Sequence, residues 1–373
     1  MRSLTALRIV VHDRSSTAGS VLGVIAIVFL VGQQLSILFG LLSYMSVLVD
    51  HSGADAWILS ANARNVDAVN QISARYLHRV IGLEEVQWAE PLLNTGSAFR
   101  RLDGSIENVR VVGVRRPRMV GGPWEFAQGD ERALLDREAV TVDRLDLEKL
   151  GNPRLHQVTE VGERAVHVGA MTDGARGFQG TLVFTSLDKA QEITKSSRGR
   201  YSAILVKFRE GVDKQGAIQR LRAILPECSV FGTAELSNLT RTYYLTNTGI
   251  GGSFGFSTTI GVLIGMVIIS LTMYTGVMGR ATDFAVMRAM GARKSDVAVV
   301  VFVSTLIIAV VGLFLGFVML STLLNATGRS EIPSYFPSYL PFFLAVGTLV
   351  VSILGSLIAV RQALKADPSS VFH

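Results

Sequence analysis

The sequence predicts an α-helical membrane protein with four transmembrane helices and one extracytoplasmic α+β domain inserted between the first and the second. Three observations carry this. Of 373 residues, 49% are hydrophobic, and the mean hydropathy of +0.39 exceeds what soluble domains average. The excess lies in one long apolar run near the N-terminus and three in the last third, while the middle reads as an ordinary soluble domain, long enough to bury its own core. Lysine and arginine gather in the short segments beside those runs, at alternate ends of successive spans.

Residues 1–18 carry Leu4, Leu7, Val10 and Val11 at helical spacing, with Arg8 and Arg14 among them. This suits an amphipathic helix on the inner leaflet; a disordered basic terminus is the alternative. The first span occupies 19–49, within an apolar run from Val21 to Val49. Arg2, Arg8 and Arg14 before it and Ala54-Asp55-Ala56 after it imitate a signal peptide, but the run is about twice the length of a signal core. It therefore reads as a retained helix, longer than a bilayer core of ~30 Å and tilted or protruding outward. Gln33 and Gln34 within it face protein, as helix packing or as a substrate contact.

Residues 50–247 form the extracytoplasmic domain. Strand-like runs fall at Ala56–Leu59, Val86–Leu93, Val109–Val114, Ala139–Val142, Ala165–Ala170, Leu182–Thr185, Ala203–Phe208 and Ser229–Phe231. Helix-like runs fall at Val66–Ile81, Leu145–Leu150, Leu187–Thr194 and Lys214–Leu225. Leu102-Asp103-Gly104-Ser105 reads as a hairpin turn. From Thr233 to Thr248 the pattern is again helical, with Leu236, Leu239 and Tyr243, as a stalk leading into the second span. Arg115, Arg116 and Arg118 flank Pro117 as a charged loop, solvated or in contact with lipid headgroups or a periplasmic partner. Trp57, Trp88 and Trp124 read as core, and the single cysteine, Cys228, as a small buried residue. One thiol forms no internal disulfide, so the domain stands on its core.

The remaining spans occupy 248–279, 295–326 and 339–361, joined by a loop at 280–294 and a short outer loop at 327–338, with a tail at 362–373. None of the four apolar runs contains a charge. Arg2, Arg8 and Arg14 precede the first, Arg280, Arg288, Arg293 and Lys294 follow the second, and Arg361 and Lys365 follow the fourth. The loop after the third holds only Arg329 beside Glu331. Both termini and the 280–294 loop are thus expected in the cytoplasm of an inner-membrane protein. Gly261 with Gly265, and Gly312 with Gly316, form small-residue faces for close helix packing, the first pair favoured for self-association into a homodimer.

Net charge is +6, the mark of basic cytoplasmic edges; no basic stripe interleaved with aromatics argues for nucleic acid. Gly291-Ala-Arg-Lys-Ser295 lacks the spacing of a phosphate-wrapping loop. His12, His51, His78, His156, His167 and His373 are scattered without metal-ligand spacing; His156 and His167 read as ordinary surface histidines, with a pair across strands as the alternative. The chain is expected to bind no cofactor or metal and to have no enzymatic activity of its own.

The 280–294 loop carries the most specific signal. Thr282 or Asp283 is placed to cap a short helix, Phe284, Val286, Met287 and Met290 give it an apolar face, and Gly291 ends it. Ser295 is placed to cap the third span. A half-apolar helix just under a membrane suits docking to a cytoplasmic partner. Asp283-Phe-Ala-Val-Met-Arg-Ala-Met-Gly-Ala292 resembles the acidic-apolar-small-apolar-apolar-Arg-Ala-apolar-Gly-Ala stretch of the FtsX-like permeases, the membrane subunits of MacB-, LolC/E-, FtsX- and DevC-type ABC systems. Asp283 stands where that family commonly has Glu, nearer the DevC-like branch. Ala359-Val-Arg-Gln-Ala-Leu-Lys-Ala-Asp-Pro-Ser-Ser-Val-Phe372 resembles the family's ending, and one span, a large outer domain and three spans is its topology.

The resemblance implies a MacB-type periplasmic core, with a porter-like part and a smaller inserted part. It implies that Asp283, Phe284, Val286, Met287, Arg288, Met290 and Gly291 form a coupling helix seated in a separate ABC ATPase, two of which would serve a permease dimer. ATP and magnesium would be bound by that partner. ATP-driven closure would move the outer domain, the process called mechanotransmission, to export or extract a hydrophobic or periplasmic cargo, with a membrane-fusion adaptor and outer-membrane duct as further partners. The alternatives are an FtsX-like regulator of a periplasmic cell-wall hydrolase and an ATPase-independent membrane sensor.

Overall fold

In the middle of the chain, successive apolar side chains alternate between the two faces of the strands and build a sheet covered on both faces. The computed structural model describes residues 14–279, 286–287, 290–327 and 334–365. It divides into two units, one of residues 41–251 and one of residues 1–40 with 252–373.

The first unit holds the strands β1 (Ala56–Ser60), β2 (Ile72–Ser73), β3 (Val86–Arg100), β4 (Ile106–Val114), β5 (Phe126–Gln128), β6 (Ala139–Asp143), β7 (Val158–Val161), β8 (Arg164–Thr172), β9 (Arg176–Gly177), β10 (Gly180–Ser186), β11 (Arg200–Tyr201), β12 (Ala203–Phe208) and β13 (Cys228–Gly232). The main path runs β13-β1-β12-β3-β4-β10-β9. β4 and β10 are parallel neighbours, and β5 to β8 lie between them in sequence as an inserted part centred on β8 and joined to the end of β3 through β7. The hairpin closes at 101–105, where Gly104 takes φ +84° and its N–H donates to Arg101 O.

The period of two divides the side chains between two cores. Ala56 and Ile58, Val109 and Val111, Val183, and Ile204 and Val206 face one core. Trp57 and Leu59, Val112 and Val114, Leu182 and Phe184, and Ala203 and Leu205 face the other. Helices Ala74–Ile81, Leu187–Ile193 and Lys214–Ile224 cover the first core through Tyr76, Leu77, Val80, Leu187, Ala190, Ala217 and Leu221. The Val47–Val49 end of the first long helix and Leu236 of helix Thr233–Asn247 cover the second. Trp57 is fully buried, and Trp88 and Trp124 are half-buried against the same core. Cys228 is half-buried, at the edge of the first core, rather than enclosed.

Two helices expected from periodicity are shorter. The Val66–Ile81 pattern yields a helix only over Ala74–Ile81. Asn65 Oδ1 accepts the N–H groups of Asp67 and Ala68, an Asx turn that competes with helical bonding. β2 then pairs with β11, and Ser73 caps the helix by accepting from Arg75 N–H. At 145–150 only a 3₁₀ turn forms, over Arg144–Asp146, because Asp143 caps it and Asp146 is held by Arg176 at 2.7 Å and Thr181 at 2.6 Å.

The second unit is built from helices. The residues up to Gly40 of helix Arg14–Asp50 pack with helices Ile250–Met278, Lys294–Thr327 and Leu340–Lys365. All four are long and apolar enough to cross a membrane. Val24, Ile27, Val28 and Val31 of the first helix are almost fully buried among Ile269, Met273, Val301, Ile308 and Leu344. Glycines let these backbones meet. A Cβ on Gly265 would lie 1.9 Å from Ile27 Cγ1, on Gly312 2.5 Å from Val24 Cβ, and on Gly316 2.8 Å from Val28 Cβ. Of the Gly261/Gly265 face, favoured for self-association, Gly265 packs against Ile27 of the same chain, and Leu30 and Val31 lie beside Gly261. At Gly265, Gly312 and Gly316 only a missing Cβ admits the first helix so closely, whereas at Gly261 a Cβ would stand in ordinary contact, 3.9 Å from Leu30 and Val31.

Candidate functional site: the 280–294 loop and the stalk

Of the loop residues singled out from sequence, Arg280, Thr282, Asp283, Phe284 and Arg288 lie outside the described residues, as do residues 1–13. Val286 and Met287 are helical, and Met290 N–H donates to Val286 O at 3.0 Å. Ala292 N–H donates to Met287 O at 3.1 Å, and Gly291 between them adopts φ +95°. A Cβ there would meet nothing within 4 Å, so backbone conformation rather than space selects glycine as the helix terminator. The apolar residues divide by exposure. Met287 is half-buried against the core of the helical unit, whereas Val286 is 36% and Met290 76% exposed. The third long helix is capped by Asp296, not Ser295. Its Oδ2 accepts Arg293 N–H at 3.0 Å from within the first turn, where a carboxylate also complements the helix dipole.

In the sheet unit the stalk is helix Thr233–Asn247. It starts at Gly232, whose N–H donates to Glu235, and Arg222 makes two bonds to the same carboxylate at 2.8 and 2.9 Å. One side of the helix grips residues 42–50 of the first long helix. Arg241 Nη2 donates to Asp50 Oδ2 at 2.7 Å, and its Nε to Ser46 Oγ at 2.9 Å and Leu42 O at 3.3 Å; Ser46 in turn donates to Asp50 at 2.8 Å.

The other side enters a buried polar network. Tyr244 Oη donates to Asp67 Oδ2 at 2.8 Å and accepts Gln179 Nε2 at 2.9 Å, and Thr240 Oγ1 accepts Val66 N–H. Arg110, buried in β4, closes the network by donating to Asn94 Oδ1, Asp67 O and Gln179 Oε1. Burial, and then the Asp67 carboxylate beside it, push the Tyr244 hydroxyl well above the ordinary phenol range, so it remains a neutral donor. The stalk is therefore fastened both to the sheet, through Tyr244, and to the end of the first helix, through Arg241.

Of Leu236, Leu239 and Tyr243, expected on this helix, Leu236 and Leu239 pack in the second core as the helical pattern implies; the polar contacts are made by Arg241 and Tyr244. Their signal was present as charge and aromatic hydroxyl within a helical repeat, but their partners at Asp50, Ser46 and Asp67 are roughly 170 to 200 positions away in sequence.

The Arg115–Arg118 loop is anchored rather than free. Arg115 and Arg118 lie 3.5 and 3.9 Å from the Glu90 carboxylate, and Arg116 donates to Leu135 O at 2.5 Å. Burial raises the Glu90 carboxyl above its usual range, with both arginines opposing. His51 stacks on Trp124 at 4.3 Å, and His167 lies 3.5 Å from Asp136. Among the described residues no group of three or more His, Cys, Asp or Glu side chains gathers for a metal.

The model of the MacB-like periplasmic core domain matches residues 17–224, more than half of the chain, and that of the FtsX-like permease C-terminal region matches 255–368. No curated protein matches the chain. Solved structures similar to the sheet unit include the periplasmic region of MacB from Actinobacillus actinomycetemcomitans, at 12% identity and TM-score 0.40, covering 50% of this chain and 92% of that one. Another is the extracellular domain of the noncanonic ABC-type transporter YknZ from Gram-positive bacteria, at 11% identity and TM-score 0.35, covering 48% and 98%. A third is a domain of a permease protein from Porphyromonas gingivalis, at 13% identity and TM-score 0.32, covering 48% and 86%. With a MacB-like core matched across the sheet unit and an FtsX-like region across the last three long helices, the chain belongs to the MacB/FtsX family of ABC-type permeases.

Proposed function

We propose that this permease couples ATP hydrolysis by a separate, cytoplasmic ABC ATPase to movement of its sheet domain on the far side of an inner membrane. The observation that carries the reading is the exposed apolar pair Val286 and Met290 on a helical turn ended by Gly291, beside Met287 rooted in the helical core. An ATPase groove receiving that pair would push on a segment already bound into the spans. The Lys/Arg bias of the short loops supports a cytoplasmic location for this turn and for both termini. Substrate nucleotide and magnesium belong to the partner, and the permease acts as a dimer over two ATPase subunits. The stalk bonds of Arg241 and Tyr244 support a mechanical rather than channel-like role, in export or extraction of a hydrophobic or periplasmic cargo.

The test is the double variant Val286→Asp/Met290→Asp, purified from its native membrane in mild detergent. Both side chains are exposed, so the variant is expected to accumulate as a folded membrane protein yet to lose the co-purifying ATPase and its ATP hydrolysis. Wild-type recovery and hydrolysis would overturn the reading. Met287→Asp is a poorer probe, since Met287 packs against the helical core.

A further inference from the structure

The sheet unit contains a cavity of about 350 Å³ lined by Arg115, Arg116, Arg198, Gln191, Tyr201 and Asp188. Three guanidinium groups meet one carboxylate in this wall. Two of them have contacts with residues outside the lining, Arg115 with Glu90 and Arg116 with Leu135 O. A guanidinium has five N–H donors, so each keeps donors to offer. Asp188, 3.9 Å from Arg116, is 70% exposed and offsets little of the positive field. Arg198 is exposed and has no hydrogen-bond or ion-pair partner among the described residues. Tyr201 is 92% buried, its ring in the core, and its hydroxyl bonds to no group among the described residues. Gln191, equally buried, has its amide nitrogen 3.4 Å from Arg200 O.

An arginine left unpaired in the same wall as two partnered ones, with Tyr201 lining that wall too, is a donor set for a tetrahedral oxyanion. The volume exceeds that of a bare ion and leaves room for a substituent. We propose that this cavity is a binding site for a phosphate group, either free or carried by a phospholipid headgroup. The site is independent of the ATPase reading, since it uses no residue of the 280–294 loop or the stalk.

The experiment uses the full chain in mild detergent at constant ionic strength, with chloride as the reference anion. Binding is measured by titration with inorganic phosphate and, in a second arm, with short-chain phosphatidylglycerol below its micelle concentration. The proposal expects saturable binding in at least one arm. Arg198→Gln should weaken it about tenfold, the scale of one charge-assisted bond, while Arg154→Gln, an exposed arginine outside the cavity, leaves it unchanged. Equal binding of both ligands identifies the oxyanion itself as the ligand; binding of the lipid alone identifies a headgroup. Arg198 is exposed and unpaired, so its variant is expected to keep the wild-type Tm. Absence of saturable binding in both arms, or binding that Arg198→Gln leaves intact, would overturn the proposal.

Discussion

The sheet unit and the helical unit are both apolar inside, but they are assembled by different physics. In the sheet unit, side chains on both faces of each central strand are withdrawn from water, and large residues such as Trp57, Phe99 and Phe184 are fully enclosed. The driving force is removal of apolar surface, at roughly 25 cal/mol per Å². In the helical unit, apolar side chains face outward as readily as inward: Phe256 is 70%, Val267 63%, Phe314 69% and Phe342 69% exposed. Lipid is as apolar as these side chains, so burying them gains little, and close approach must do the work. Hence Gly265 of the second long helix and Gly312 and Gly316 of the third pack against the first helix, whereas the sheet unit uses glycine chiefly at turns such as Gly104. In water size stabilises; in lipid the absence of size does.

The sharpest way to break that comparison is to remove size from one unit and add it to the other. Trp57→Ala should cost the sheet unit about 3–5 kcal/mol, the largest effect expected, read as loss of its cooperative unfolding transition. Gly265→Ala should cost the helical unit about 1–3 kcal/mol, read as a lower Tm in detergent, because its Cβ must displace Ile27. Ile27→Ala in the same chain should recover part of that loss. Failure of the pair to compensate would separate Gly265 from the packing described here.

The stalk gives a smaller effect. Arg241→Met should cost about 1 kcal/mol, since Arg241 and Asp50 are each about one-third exposed. Hydrogen exchange over residues 42–50 and 233–247 should accelerate, with the helices of the other unit unchanged.

Glu90 supplies the pH test. Its carboxyl is raised above the 4.5 of an unperturbed glutamate, mainly by burial, so the folded state binds its proton more tightly than the unfolded chain. The stabilisation is complete below pH 4.5 and is lost as pH rises through the folded-state value. Glu90→Gln should therefore gain stability relative to the wild type as pH is raised above 4.5, and a difference that shrinks over that range would contradict the assignment. Smallest of all, Gly347→Ala, where a Cβ meets nothing within 4 Å, should leave Tm unchanged or raise it by less than the equivalent of about 1 kcal/mol.

Much of this molecule was legible before any coordinates. Hydrophobic length and the lack of charge located the four long helices to within a few residues, and the eight predicted strand runs all fall inside β-strands. Gly291 was legible as a helix terminator because its conformation is a local matter. The misreadings were also local in cause. The Val66–Ile81 run carries helical periodicity, but Asn65 satisfies the backbone of Asp67 and Ala68 first. Ser295 is a good cap residue, but Asp296 reaches Arg293 N–H.

By itself, then, the sequence determined which segments are apolar enough to leave water, which alternate as strands, and which short loop is half-apolar, because each is a property of neighbouring residues. Only the tertiary structure decided that Gly265 packs against the chain's own first helix, that Val286 and Met290 stay exposed while Met287 packs, and that Arg241 and Tyr244 bind the stalk to Asp50 and Asp67. Those outcomes depend on which distant surfaces meet. A donor, a glycine or a methionine carries no record in the sequence of the partner that folding brings to it.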